Sequence, residues 1–335
     1  MTGIVQRMEH RQVALFLIAI ALGALVGAVA PGTAPALTLT ITPALGLLLF
    51  ATFLGVPLMA VGRSVVDLRF LGAVLVVNFG IVPAVVYGLS RFVAADRALL
   101  LGVLLVLLTP CVDYVIVFTG LAGGASGRLL AATPLLMLLQ IVLLPAYLWL
   151  FAGFDAVALI DVAPFVEAFL LLIVLPLAAA ATVQAIARRW RGGRAVELVM
   201  QALIVPLMMV TLAAVVGSQI AAVGAQAAAL VAVVPLYAAF LAIMVGVGLV
   251  AARLGRLDVP AARALIFSGS TRNSLVVLPL ALALPASLAL APLAVVTQTL
   301  VELVGMVILV RLVPRLVPAA GRAGVSPAGS GDRPG

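Results

Sequence analysis

Three ionisable side chains, Asp113, Arg272 and Glu302, lie within long apolar stretches of the chain. A charge at bilayer depth is costly, so such residues mark functional sites by default. Asp113 and Arg272 stand where apolar runs are interrupted, at Thr109-Pro110-Cys111-Val112-Asp113 in the first half and Ser268-Gly269-Ser270-Thr271-Arg272-Asn273-Ser274 in the second. Opposite charges at two breaks that meet can pair. Half-helices starting there would also aim free amides and dipole ends at one point, which is an anion site. Glu302 has apolar neighbours. A carboxyl buried without a partner takes up a proton rather than bear desolvation, which suits a proton carrier. Around these charges the sequence supplies Asn78, Thr109, Tyr114, Ser268, Ser270, Thr271, Asn273, Ser274, Gln140 and Gln298. Hydroxyls and amides can coordinate a cation, bind a polyhydroxy solute or hydrogen-bond one helix to another. Cys111 is the only cysteine. It is either a small buried apolar residue or a thiol for a soft, thiophilic solute.

An intramembrane enzyme would need a nucleophile with a base, or a set of metal ligands. The single histidine, His10, precedes the first apolar run, so no buried histidine relay or His-metal cluster is available. The residues point to transport rather than catalysis, with no cofactor.

These groups must be positioned by elements that tolerate a broken backbone in lipid. Non-helical backbone at membrane depth survives only inside protein or beside a water-filled cavity. A pair of breaks in corresponding places of two halves marks a secondary transporter with its site at the midplane. Hydrophobic residues make up 66% of the chain and charged ones 9%, against roughly 25% charged in an ordinary soluble domain, so the chain is a membrane protein. Apolar runs long enough to span occur near 13–30, 43–61, 71–92, 98–121, 129–152, 164–187, 196–217, 226–252, 262–285 and 288–313. The expectation is therefore an all-α polytopic membrane protein of about ten transmembrane helices.

All nineteen basic residues are arginine. With the N-terminus inside, sixteen of them fall in cytoplasmic segments, including the cluster Arg188, Arg189, Arg191 and Arg194, while Arg91 and Arg97 fall outside. The positive-inside rule then places both termini in the cytoplasm of a multi-pass protein of the cell membrane. The net charge of +8 belongs to this topology and not to nucleic acid. The partners expected are membrane lipid and a small inorganic or organic anionic solute. Residues 1–30 resemble a secretory signal, but the run is long and Pro31 follows the Ala28-Val29-Ala30 site, so an uncleaved first span is expected. Gly120 to Gly127 reads as a flexible turn, not a phosphate loop, because no strand precedes it and no Lys-Ser/Thr follows.

Val56-Pro57-Leu58-Met59 recurs as Val205-Pro206-Leu207-Met208, Ile81-Val82-Pro83 is answered by Val233-Val234-Pro235, and Pro134-Leu135 with Gln140 by Pro292-Leu293 with Gln298. Three matches in one order indicate a repeat of five spans plus five. Five is odd, so the copies are inverted. The domain organisation expected is a cytoplasmic tail over 1–12, repeats over 13–152 and 153–314, and a disordered cytoplasmic tail over 315–335, rich in Gly, Pro, Ala and Ser.

Leu108-Thr109-Pro110-Cys111 with Asp113, and the run to Phe118-Thr119-Gly120-Leu121, resemble the fourth-span pattern of the arsenical-resistance (arsenite permease) branch of the bile acid:sodium symporter superfamily. Asn78-Phe79 with Pro83 is similar to its third-span pattern, and Ser270 to Asn273 falls where the ninth-span polar motif belongs. The resemblance implies ten helices in two inverted repeats, with spans 1, 2, 6 and 7 as a panel, the others as a core, and spans 4 and 9 broken and crossing. It implies arsenite efflux, with Cys111 as the essential thiol in transient contact with the metalloid, and proton antiport. The chain departs from the family pattern in two respects. Leu275 stands where the arsenite branch carries a glutamate, and Ser268 and Arg272 stand where the sodium-coupled branch has Glu and Gln ligands. The substrate-binding set expected is Asn78, Cys111, Asp113, Ser270, Arg272 and Asn273, with Asp113 and Glu302 as proton carriers. The alternative is a transporter of small organic anions, sodium-independent or sodium-coupled, with Arg272 binding the anion.

Overall fold

The computed structural model describes residues 11–55, 67–112, 114–153 and 170–318, and all regular elements among them are helices. In hydrocarbon each backbone amide needs a partner in its own segment, which an apolar helix supplies. The first helices are α1 (Gln12–Val29) and α2 (Ala34–Gly55). A continuous helix follows from α3 (Leu68–Val76) through a π turn (Val77–Ile81) into α4 (Val82–Ser90). Next come α5 (Arg97–Leu107), α6 (Tyr114–Leu121) and α7 (Ser126–Ala152). After a second π turn (Leu170–Val174) the chain forms α8 (Leu175–Ala187) and α9 (Arg191–Ala225). It closes with α10 (Val233–Leu254), α11 (Val259–Ser270), α12 (Ser274–Leu282) and α13 (Leu290–Leu316).

Six stretches among the described residues are long and apolar enough to cross a membrane: 31–55, 68–93, 135–152, 192–221, 227–254 and 286–316. Shorter apolar helices occupy 14–29, 97–107 and 175–187. The difference from ten has a local cause. The runs expected at 98–121 and 262–285 are each split in two, so neither half reaches spanning length alone. The run expected at 164–187 is described only from residue 170, and the run expected at 13–30 counts among the shorter helices, over 14–29.

Two boundaries differ from expectation. α2 begins at Ala34 rather than near residue 43, because the Thr38 and Thr40 hydroxyls donate back to the Ala34 and Ala36 carbonyls and so sit comfortably in a helix. The arginine loop is shorter than expected. α8 ends at Ala187 and α9 starts at Arg191, with Arg194 Nε donating to the Ala187 carbonyl at 3.2 Å, a cation on a helix C-terminus. Of the tails expected over 1–12 and 315–335, residues 1–10 and 319–335 lie outside the described residues, while helix α1 begins at Gln12 and helix α13 continues to Leu316, past the expected start of the tail.

α9 packs along α1 and α2, with α8 against α2. A Cβ at Gly23 or Gly27 of α1 would sit 2.4 Å from the Ala213 carbonyl oxygen or 2.1 Å from that of Gly217 on α9. Small residues there let two backbones touch, which in lipid is the source of helix affinity. In a second group α13 packs on α5 and α12, and α10 on α11. α5 is buried along its whole length after Arg97, as is α11 from Leu265 to Ser270. Outward-facing Leu22, Leu25, Leu39, Leu150, Leu198 and Val304 are exposed, as a lipid-facing belt requires.

Candidate functional site

The two interrupted runs end alike. α5 is capped by Asp96, whose Oδ1 accepts from the Ala98 and Leu99 amides at 2.9 and 3.0 Å. α11 is capped by Asp258, whose Oδ1 accepts from the Ala261 amide at 2.8 Å. Each carboxylate satisfies amides that the first turn leaves orphaned. At the far ends, Thr109 Oγ1 donates to the Leu105 carbonyl at 2.8 Å and Thr271 Oγ1 to that of Phe267 at 2.7 Å. Pro110 has no amide and keeps Thr109 from continuing the helix. The extended pieces then cross. Pro110 and Arg272 form an antiparallel bridge, and the Asn273 amide donates to the Thr109 carbonyl at 2.9 Å. The same interval of sequence separates Asp96 from Asp258, Thr109 from Thr271, and Pro110 from Arg272.

Arg272 is fully buried at this crossing. Its Nη2 donates to Asn78 Oδ1 at 2.9 Å and to the Ser268 and Gly269 carbonyls at 2.8 and 2.7 Å, while Nη1 reaches the Leu107 carbonyl at 3.5 Å. The phenyl face of Phe240 lies 5.5 Å away. Ser268, Gly269 and Leu107 belong to the last turns of α11 and α5, whose carbonyls carry partial negative charge. A single guanidinium therefore neutralises two converging helix C-termini.

Asn78 arrives there through Pro83. Without a proline amide the Phe79 carbonyl, four residues back, loses its α-helical donor, and the helix widens into the π turn that holds Asn78. The Tyr147 hydroxyl donates to the Phe79 carbonyl at 2.6 Å instead. Asn78 Nδ2 donates to Ser268 Oγ and to the Val74 carbonyl, both at 3.0 Å. Its amide thus ties the third-span helix to the second broken run.

Glu302, on α13, was expected as a carboxyl without a partner, but Oε2 accepts from the Arg272 amide at 2.8 Å and from Gln298 Nε2 at 2.5 Å. The anion position just before α12 is thereby filled from within the chain. The sequence signal was the Gln298-x-x-x-Glu302 spacing, which places both on one helix face.

Cys111 follows the bridge directly and is fully buried. Asn273 caps α12, its Oδ1 accepting from the Val276 amide at 3.2 Å. Ser270 Oγ, Asn273 Nδ2 and Ser274 Oγ are buried and make no hydrogen bond among the described residues. Gln140 Oε1, Gln298 Oε1 and Thr119 Oγ1 are in the same condition. A buried polar atom left so costs about 1–3 kcal/mol, which a bound hydroxylated solute or water would recover. Asn78, Cys111, Ser270, Arg272, Asn273 and Glu302 all belong to segments joined at the crossing. Asp113, and with it the expected Asp113–Arg272 pair, lies outside the described residues.

Sequence inspection missed a second polar cluster at the opposite ends of these helices. Arg128, at the start of α7, contacts Asp67 at 3.1 Å and Asp258 at 2.8 Å, bridging the caps of α3 and α11. Burial alone raises the Asp258 carboxyl, but the hydrogen bond from Arg128, the Ala261 amide and the Arg128 charge outweigh it and hold the group below the usual carboxylate range. Arg263 donates to the Ala122 carbonyl of the glycine turn at 2.9 Å and to the Val317 carbonyl after α13 at 2.9 Å. The turn is pinned rather than loose.

A comparison with curated proteins finds no match. Residues 42–197 match the Sodium Bile acid symporter family. The matched region holds Asn78, Pro110 and Cys111 and stops before the Arg272 segment, and it supports for this multi-pass membrane protein the superfamily that its third- and fourth-span motifs resemble.

Proposed function

We propose that the protein is a secondary active transporter that exports arsenite or a related trivalent metalloid, by proton antiport, across the cell membrane, with both termini in the cytoplasm. The transporter class rests on the family match over residues 42–197. The solute rests on one observation: the only cysteine is buried directly after the bridge between two broken helices, and the other arm of that crossing carries neutral hydroxyl and amide groups that lack partners among the described residues. Arsenous acid is an uncharged trihydroxy solute with a thiophilic centre. A sulfur–arsenic bond forms at Cys111 as one arsenic–oxygen bond breaks, and the thiol proton leaves with the hydroxyl as water. The same exchange run backward releases the solute. Asp113 and Glu302 carry the proton in this scheme. Protonating Glu302 weakens its hold on the Arg272 amide and so couples charge to the break.

The ten-helix, inverted-repeat architecture is part of the proposal. Equal spacing of the caps and breaks supports it, and antiparallel pairing of Pro110 with Arg272 is what a two-fold axis between equivalent residues produces. Each broken pair is followed by a continuous helix of 27 residues, α7 and α13. The α1, α2, α8 and α9 group corresponds to a panel, and the helices around the crossing to a core.

Transport of a small organic anion is the second reading, favoured by a buried arginine. It is the weaker one, because Nη2 of that arginine already serves Asn78 and two carbonyls. Survival and arsenic accumulation in arsenite-sensitive cells expressing the protein, with antimonite and arsenate in parallel, decide between them. Lower intracellular arsenic and better survival in arsenite are expected. Unchanged accumulation of both trivalent metalloids at verified expression sinks the proposal.

A further inference from the structure

A groove of about 570 Å³ lies between the third-span helix and the end of α10; neither Cys111 nor any residue of the crossing lines it, and the proposed transport step does not use it. Its floor is apolar or small on both sides: Gly72, Ala73, Val76, Val77 and Ile81 from one helix, Ala251 and Leu254 from the other. Arg69 and Arg256 stand at one end, and no acidic residue lines it among the described residues. At 1.5 Å per residue the stretch from Arg69 to Ile81 runs roughly 18 Å, close to the ~15 Å of one leaflet of a ~30 Å core. The groove is one acyl chain deep.

The charges at its mouth are available. Asp67 and Asp258, the nearest acids in sequence, are both held by Arg128. Neither Arg69 nor Arg256 makes a side-chain hydrogen bond or ion pair among the described residues. Arg256 also carries the one positive φ of a non-glycine residue described, 49°. That conformation follows a helix end and favours glycine, yet glycine occupies the preceding position, 255, in ordinary helical geometry. Backbone strain retained at a bulky cation is explained when the side chain has work to do there.

We propose that this groove binds an anionic phospholipid, its phosphate between Arg69 and Arg256 and one acyl chain along Gly72, Val76 and Ile81. The arginine distribution puts the mouth at the cytoplasmic leaflet, where anionic lipid is enriched. The inference needs a membrane protein but is independent of the solute.

Purified protein in detergent is titrated with phosphatidylglycerol and with phosphatidylcholine of identical chains, with binding read by native mass spectrometry and by the thermal midpoint. Phosphatidylglycerol binds more tightly and raises the midpoint more. Removing each arginine, as Arg69→Gln or Arg256→Gly, lowers that preference roughly fivefold. Arg256→Gly relieves the backbone strain, so its loss of lipid preference does not come from unfolding, and Arg256→Lys keeps most of the preference. Equal binding of the two lipids, an undiminished preference in the Arg69→Gln/Arg256→Gly double variant, or the same stabilisation by glycerol phosphate without chains overturns the proposal.

Discussion

At the scale of single residues, the crossing separates two kinds of polar group. Arg272 and Glu302 are engaged by backbone and side chains of the fold, whereas Ser270, Asn273 and Ser274 present polar atoms that no described residue satisfies. Cys111, fully buried, directly follows the Pro110 bridge of the same crossing. Cys111→Ser is nearly isosteric in a place already rich in hydroxyls, so the fold tolerates it, but a serine oxygen is a harder and weaker ligand for arsenic. Arsenite resistance should be abolished at matched expression and unchanged thermal midpoint. Full resistance in those cells would remove the thiol step and move the assignment to organic anions. Arg272→Gln has the opposite profile. It leaves two helix C-termini converging without their cation, a defect on the order of 3–5 kcal/mol. A sharply lower thermal midpoint in detergent is expected, whatever the solute. A variant as stable as the parent would show that the guanidinium is there for the substrate.

At the scale of elements, the broken helices are held at both ends, by the crossing at one and by Arg128 at the other. Asp258→Asn isolates the second contact, because asparagine caps a helix as well as aspartate does. Both partners are about half exposed, at 40% for Arg128 and 50% for Asp258, so the loss stays under about 1 kcal/mol, and Asp258→Ala costs about 1 kcal/mol more by removing the cap. The folded carboxyl is held below its ordinary range. Its contribution is therefore present above that range and is lost as pH falls through the folded value. Thermal midpoints of wild type and Asp258→Asn should differ by a constant amount from neutral to mildly acid pH and converge only below the usual carboxylate range. A gap that closes between pH 7 and 5 would rule this out. The breaks themselves were legible in the sequence, because Pro110 and the polar runs contradict their apolar surroundings. The Arg128 bridge was not, since Asp67 and Asp258 lie 61 and 130 residues away and only packing brings them together. Glu302 could be picked out as a candidate and its Gln298 donor sits four residues back on the same helix, but its other donor, the Arg272 backbone amide, comes from a distant segment that only packing brings near. Likewise Asn78 could be picked out, whereas the π turn that aims it could not.

At the scale of the whole molecule, the proposed exchange requires that movement of the α1, α2, α8 and α9 group against the crossing helices be coupled to an ion gradient. The oxygens that gather the third span and the ninth, Asn78 Oδ1 with the Ser268 and Gly269 carbonyls, already surround a positive charge fixed to the chain. A second cation brought within about 4 Å of it would meet a repulsion of roughly 4 kcal/mol at an effective dielectric of 20. In the proposed scheme sodium therefore has no role in joining these helices, and the driving ion is one that Asp113 or Glu302 would carry. In sealed vesicles, arsenite flux should follow an imposed pH gradient and stay unchanged when choline replaces sodium. Collapsing the pH gradient should stop uphill flux at either composition. A strong loss of flux in choline, with the pH gradient intact, would instead mean that sodium enters beside the guanidinium. The protein would then be a symporter despite Arg272.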